Sequence, residues 1–381
     1  MNHPTDHIFS FTPQTLQEWC ITHKMPKFRA KQILEWVYEK GVVDPGQMSN
    51  LSNLDRRILA EHMTFLSGPT VAHQLATDAT QKLLIEWPDD IDTNRIGAGE
   101  AGIEHANRLP IVGQEMPYSN TTRQTECVMI PASDTDRRTA CISSQIGCPV
   151  GCTFCATGIG GLDGNLSAGR IVEQVWRLNQ LEGVDRISNV VFMGMGEPLA
   201  NFGAVIHAVK TLAAPWAMGV SARKITVSTV GMHKAIEKLA TELDLPVTLA
   251  LSLHAPNDAL RKELIPWAQF TTIDQLVGAC SGWFNKTGRE ITLEYILLGG
   301  VNDFPEHARE LAEIVKKMRA NVNLIRYNEV KGLPFERPTG DDVHHFQRIL
   351  REQGVNCHIR ASRGRDIAAA CGQLRHEHAH A

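Results

Sequence analysis

Cys148, Cys152 and Cys155 form a CxxxCxxC run inside CISSQIGCPVGCTFCATG, and a fourth cysteine, Cys141, stands seven positions ahead of it. Thiols at that density serve as a staple, a metal site or a reaction centre. A structural zinc site takes four ligands, usually in two pairs, but the chain has no second CxxC and its His-rich tract is HEHAH at 376–380. Three close thiolates suit a [4Fe-4S] cluster better: such clusters are normally held by four cysteines, so three leave one iron open to a ligand. The plain alternative is three packed free thiols. Cys141 and Cys371, the latter in AAACGQL, each read as a fourth ligand, a catalytic thiol or a core residue. Cys20, Cys127, Cys280 and Cys357 fall in no motif and read as packing residues.

The 381 residues are 43% apolar, with 38 Lys and Arg against 42 Asp and Glu. A net charge of −4 argues against wrapping nucleic acid by uniform charge, so any polyanion site has to be local. Two basic clusters qualify: Lys24, Lys27, Arg29 and Lys31, and Arg360, Arg363 and Arg365. Each reads equally well as a solvated face. No apolar run approaches the ~18 residues of a membrane span, and MNHPTDHIFSFTPQTLQEW lacks the basic-then-apolar pattern of an export signal. A cytoplasmic, reducing setting is expected, where nine cysteines point to metal binding or catalysis rather than to disulfides.

The elements that must position these residues divide the chain. Residues 1–70 read as a small helical accessory domain, with Thr12-Pro13 as a helix start, a second helix in FRAKQILEWVYEKG and a third over 51–62. Residues 71–123 read as a connecting segment whose stretch from about 90 is a Gly-, Pro- and Asn-rich insertion, and 376–381 as a disordered tail. Over 124–375, strands are expected at 139–144, 188–194, 224–229, 246–253, 290–297, 321–327 and 356–362, with helices between them. Repeated βα units imply an α/β fold with a parallel sheet, open or barrel-like, and ligands gather at the C-terminal ends of such strands. Gly194, Gly196 and Glu197 in MGMGEP, Ser228 in VSTVG, Ser252 and His254 in LSLHAP, and Asn328 in RYNEV all fall at those ends. Singly, each also reads as an ordinary turn or hydrogen-bonding residue.

CxxxCxxC after the first core strand, followed by MGMGE after the second, resembles the radical S-adenosylmethionine (SAM) superfamily. CISSQIGC, FCATG, FMGMGEPL, LSLHAPND, LIRYN and DIAAACGQL, in that order, are similar to the RlmN/Cfr family of rRNA and tRNA adenine methyltransferases. The resemblance implies a partial (β/α)6 barrel with a helical N-terminal RNA-binding domain. It also implies a [4Fe-4S] cluster on Cys148, Cys152 and Cys155, and SAM held by Gly196, Glu197, Ser228, Ser252, Leu253, His254 and Asn328.

For the reaction, the resemblance implies that Cys371 is methylated by one SAM and that a second SAM yields a radical that activates this methyl group. The carbon then bonds to the base, Glu126 in TECVMIP accepts the ring proton, and Cys141 resolves the adduct as a disulfide. Partners follow: 23S rRNA at the peptidyl transferase centre, tRNA beside the anticodon, an electron donor and a disulfide reductant, with no membrane and a monomeric protein. Adenine C2 lies between two ring nitrogens and carries no useful lone pair, which explains why a radical route is needed. Pro198 favours the C2 type; the C8-methylating Cfr type is the alternative. The chain departs from the family pattern in the stretch from about 90 to 123, in a longer 131–139 segment and at Asn328-Glu329, where proline is common. Two rivals remain. A radical enzyme of small molecules would not need Cys141 with Cys371, and a metal-stabilised RNA-binding module would not need the strand-end residues.

Overall fold

The computed structural model describes residues 1–88 and 123–374, so the expected insertion, apart from Arg123, and the 376–381 tail lie outside the described residues. All seven expected core strands form: β4 (Arg138–Cys141), β7 (Asn189–Phe192), β8 (Ile225–Thr229), β9 (Thr248–Ser252), β10 (Ile291–Leu297), β11 (Ala320–Arg326) and β12 (Cys357–Arg360). They pair in parallel in that order. Helices α4 (Ala168–Asn179), α5 (Phe202–Ala213), α6 (His233–Glu242), α7 (Asp258–Leu264), α8 (Ile273–Thr287), α9 (Pro305–Val315) and α10 (Gly340–Glu352) fill the crossovers between them, giving six βα steps. Parallel neighbours require such crossovers.

The sheet continues past its parallel part. β1 (Thr70–Leu75), β2 (Gln81–Glu86) and β3 (Gln124–Pro131) add antiparallel strands beyond β4, making ten among the described residues, in the order β1-β2-β3-β4-β7-β8-β9-β10-β11-β12. Residues 71–86, expected only to connect, are therefore part of the main sheet, as is Thr70, expected to close the helical unit. β12 and β1 are not paired, so the sheet stays an open, partial barrel. A separate small pair, β5 (Gln145–Gly147) with β6 (Leu162–Asn165), brackets the cysteine run.

Register decides which face does chemistry. Leu83, Cys127, Ala140, Val190, Val227, Leu249, Leu251, Leu293 and Leu324 point one way and join the apolar core under the helices. Each buried Leu or Val among them contributes about 1.5–3 kcal/mol. Side chains alternate across a strand, so the intervening residues line the opposite, concave face. There Cys141, Val191, Thr226 and Thr248 form one row, and Ser252, Glu294, Asn323 and His358 another. A parallel strand buried on both faces reads as continuously apolar, whereas this face carries Thr226, Thr248, Ser252, Glu294, Asn323 and His358.

The N-terminal helices are α1 (Pro13–Thr22), α2 (Arg29–Leu34) and α3 (Asn53–His62). Thr12 caps α1 in a capping box with Thr15, and Ser52 caps α3 with Asp55. The second helix differs from expectation, because after α2 the chain widens into a π turn at Glu35–Glu39. Docking runs through α4: Glu173 accepts from the Ser67 hydroxyl at 2.6 Å and from Arg177 at 2.8 Å, and lies 3.1 Å from His7. Arg29 from the first basic cluster is occupied by Asp55 at 2.9 Å.

Candidate active site

The cysteine loop leaves β5 with Gly147 and Gly151 in left-handed conformations (φ +71° and +70°). Backbone N–H groups of Val150 and Gly151 are directed at the Cys148 sulfur, and those of Thr157 and Gly158 at Cys155. Burial pushes Cys148 up to about 12, despite those amides, with Glu197 and Cys155 adding to the rise. Cys152 rises further, through burial and then the neighbouring Cys155 and Cys148. Three thiolates this close need a positive centre, and amide donors aimed at sulfur favour the anionic form. Among the described residues no three His, Cys, Asp or Glu side chains converge on a single-ion position. A cubane cluster asks for something different, since each thiolate binds its own iron. The donor set fits that group.

The MGMGE turn closes over this loop. A Cβ at Gly194 would lie 2.7 Å from the Ile142 carbonyl, and Gly196 has φ +98° with its Cβ position 2.6 Å from Gln145, so only glycine fits either place without strain. Glu197, 4% exposed, accepts from Leu199 N–H at 3.0 Å and Val230 N–H at 2.7 Å, tying the ends of β7 and β8 together. Burial holds its carboxyl above the usual range. A carboxylate has about four lone-pair sites, so capacity remains for a ligand donor.

Ser228 and Ser252 stand with hydroxyls 3.5 Å apart on adjacent strand ends. The Leu253 carbonyl accepts from Arg261 Nε at 3.2 Å, and the same guanidinium bonds the Val230 carbonyl. Arg261 is fully buried, and nothing in its sequence context distinguished it from a surface helix residue. His254 has φ +59°; its ring meets Phe154, inside the cysteine run, edge-on at 5.3 Å. Its Nδ1 faces the Ile296 N–H at 3.1 Å, and burial, then Arg261, lowers it to about 3. The ring is therefore neutral, with the proton on Nε2.

Cys371 arrives from the far end of the chain and is held against the cysteine loop. Ala156 N–H donates to the Gly372 carbonyl at 2.9 Å, the Thr157 hydroxyl to the Leu374 carbonyl, and the Asn328 amide to the Cys371 carbonyl at 3.4 Å. Asn328 thus bonds the Cys371 backbone. Cys371 is exposed by surface, although nearby protein desolvates its thiol. Burial raises its thiol, and Arg360 draws it back down. Cys141 lies on the inner face, buried beside Val128, Met195, Ala369 and Leu374 of the same segment; burial, then Cys371, raises its thiol. Glu126 is also on the inner face. Its strand lies between β2 and β4 rather than at an edge, and its carboxylate pairs with Lys82 at 2.6 Å. The charge of Arg360, read from sequence as part of a local polyanion site or equally of a solvated face, reaches Cys371, Cys141 and Glu294.

Comparison with known proteins decides the lineage. Residues 7–65 match the ribosomal RNA large subunit methyltransferase N-terminal domain, and 142–313 match the radical SAM superfamily. A dual-specificity RNA methyltransferase RlmN of Dichelobacter nodosus is 38% identical, over 97% of this chain and 93% of its own length. A relative of that family in Synechococcus sp. (strain CC9902) is 43% identical over 95% of each chain. The chain belongs to the RlmN family. A crystal structure of a radical SAM methyltransferase from Sphaerobacter thermophilus superposes with a TM-score of 0.85 at 36% identity, covering 97% of this chain and 99% of that one. As a radical SAM protein of the RlmN family, the enzyme uses a [4Fe-4S] cluster and SAM.

Proposed function

We propose that the chain methylates C2 of adenine in 23S rRNA, at the peptidyl transferase centre, and in tRNA, beside the anticodon, carrying the new carbon on Cys371. The observation that carries this reading is the second set of thiols. Cys371 is bonded through its backbone neighbours to the loop of Cys148, Cys152 and Cys155, and it shares the inner face with Cys141. A small-molecule radical enzyme has no use for that pair.

Cys148, Cys152 and Cys155 would hold the cluster, and Gly196, Glu197, Ser228, Ser252, Leu253, His254 and Asn328 would line the SAM site, with Asn328 acting at the same time on Cys371. When bound, the cluster and SAM supply the methyl group and the one-electron chemistry that lets this carbon bond to an unactivated ring position. The remaining steps belong to side chains. The hollow excludes water from the Cys371 methyl and receives a base taken out of its stack. Glu126 accepts the proton leaving C2, while the odd electron of the adduct would pass to the one-electron acceptor that the bound cluster supplies. Cys141 then attacks the Cys371 sulfur: the S–S bond forms as the S–CH2 bond breaks, its electron pair passes to the ring, and a proton completes the methyl group. An external dithiol reduces the disulfide. Pro198, which opens the turn after MGMGE, supports C2 over C8. The 1–70 unit is read as the RNA-gripping part and 124–375 as the chemical core, working as a cytoplasmic monomer with a one-electron donor.

The test is mass spectrometry of RNA treated with the anaerobically reconstituted enzyme. Wild type gives 2-methyladenosine, Cys371→Ala gives none, and Cys141→Ala accumulates a protein–RNA crosslink. Product from Cys371→Ala, or 8-methyladenosine from wild type, overturns the reading.

A further inference from the structure

We propose that Lys82 is a positioning residue of this site, holding the Glu126 carboxylate and the Cys371 segment in one fixed geometry. Its ammonium lies 2.6 Å from Glu126 Oε1 and 3.3 Å from the Ala368 carbonyl, three residues before Cys371. The two side chains are only 8% and 10% exposed. Register puts Lys82 opposite Val128 and Val128 opposite Cys141, so a single row across β2, β3 and β4 runs from the ammonium to the resolving thiol.

The surrounding hairpin fixes Lys82 rather than leaving it to swing. At the β1–β2 turn, Asp78 accepts from Gly364 N–H at 3.1 Å and Thr77 N–H donates to Asp366 at 2.8 Å. A Cβ on Gly364 would sit 2.9 Å from the Thr80 methyl. The hairpin thus clasps 364–368, and Lys82 completes the clasp from inside. A lysine is a compact charge with three donors, able to serve a carboxylate and a carbonyl together. With the ammonium in place, the Glu126 carboxylate is aimed where a proton is to be received. When the proton passes from the ring carbon to a carboxylate oxygen, the C–H electron pair stays with the ring, and the odd electron left by addition of the carbon radical would leave to the one-electron acceptor that a bound cluster supplies. The ammonium keeps the Ala368 carbonyl, so the segment does not drift before Cys141 attacks.

This assignment rests on the proposed role of Glu126, and the experiment separates the two. In the reconstituted full chain, Lys82→Met is expected still to load one methyl group on Cys371, read by intact-protein mass. The protein–RNA adduct should accumulate and resolve about a hundredfold more slowly, the scale of a mispositioned general base. Loss of a positive neighbour should also move the acid limb of the resolution rate to higher pH. Resolution at the wild-type rate across that range overturns the assignment of Lys82. A wild-type enzyme that never methylates Cys371 overturns the relay itself, and this assignment with it. Should Lys82→Met not hold its fold, Lys82→Met/Glu126→Gln removes both charges of this buried pair and is compared with Glu126→Gln. Equal rates support action through Glu126, and a slower double variant overturns it.

Discussion

The side-chain amide of Asn328 donates to the backbone carbonyl of Cys371 at 3.4 Å while its oxygen accepts from Arg337 at 3.0 Å. A strand-end residue of the core therefore holds the main chain of a thiol 43 positions away.

Asn328 is 1% exposed, so Asn328→Ala leaves polar groups unpaired in the interior at a cost of roughly 1–3 kcal/mol. Faster amide exchange at 371–374 and a fall in RNA methylation of about tenfold are expected, since ~1.4 kcal/mol is a factor of ten. Iron and sulfide content should not change. Unaltered exchange at 371–374 would show that Asn328 does not hold this segment.

Gly196 combines φ +98° with a Cβ position 2.6 Å from Gln145. Gly196→Ala is expected to cost about 1–3 kcal/mol in strain and to weaken SAM binding in equilibrium dialysis. Gly203, near the start of α5, has no atom within 4 Å of its Cβ position, so Gly203→Ala is the control and leaves binding intact. Equal binding by both variants would count against a tight MGMGE turn.

Glu173 joins the N-terminal helices to α4. Burial pushes its carboxyl up, but Arg177, then His7 and Ser67, pull it down to about 2. A group whose folded value is depressed stabilises the protein above its unfolded value, near 4.5, and loses that contribution as pH falls through about 2. The difference corresponds to roughly 3 kcal/mol. Melting temperature should therefore decline between about pH 4.5 and 2 in wild type. In Glu173→Gln the decline should be shallower, from a lower starting value, with earlier proteolysis near residue 67. Parallel curves for the two proteins would remove Glu173 from the docking.

Much of the site was legible because its signals are local. The cysteine spacing, the glycines of MGMGE and the strand-end polar residues lie in short stretches, and the seven parallel strands are apolar enough to read singly. What was not legible depends on pairing between distant segments. QKLLIE gives no sign that Lys82 faces inward, because an inward lysine is recognisable only once Glu126 stands beside it. TVAHQL has little alternation, and β1 exists because β2 offers it partners. Arg261 reads as one more charge in DALRKEL until the carbonyls of Val230 and Leu253 are brought to it. The π turn at Glu35–Glu39 departs from a helical pattern that composition alone would continue.

Ala156 and Thr157 follow Cys155 directly, and both grip the segment that bears Cys371. The cysteine loop and the segment around residue 371 are thus moored to the same few residues. Any loosening of the loop at 155–158 would therefore be felt at 371–374 as well, because the two stretches share these tethers.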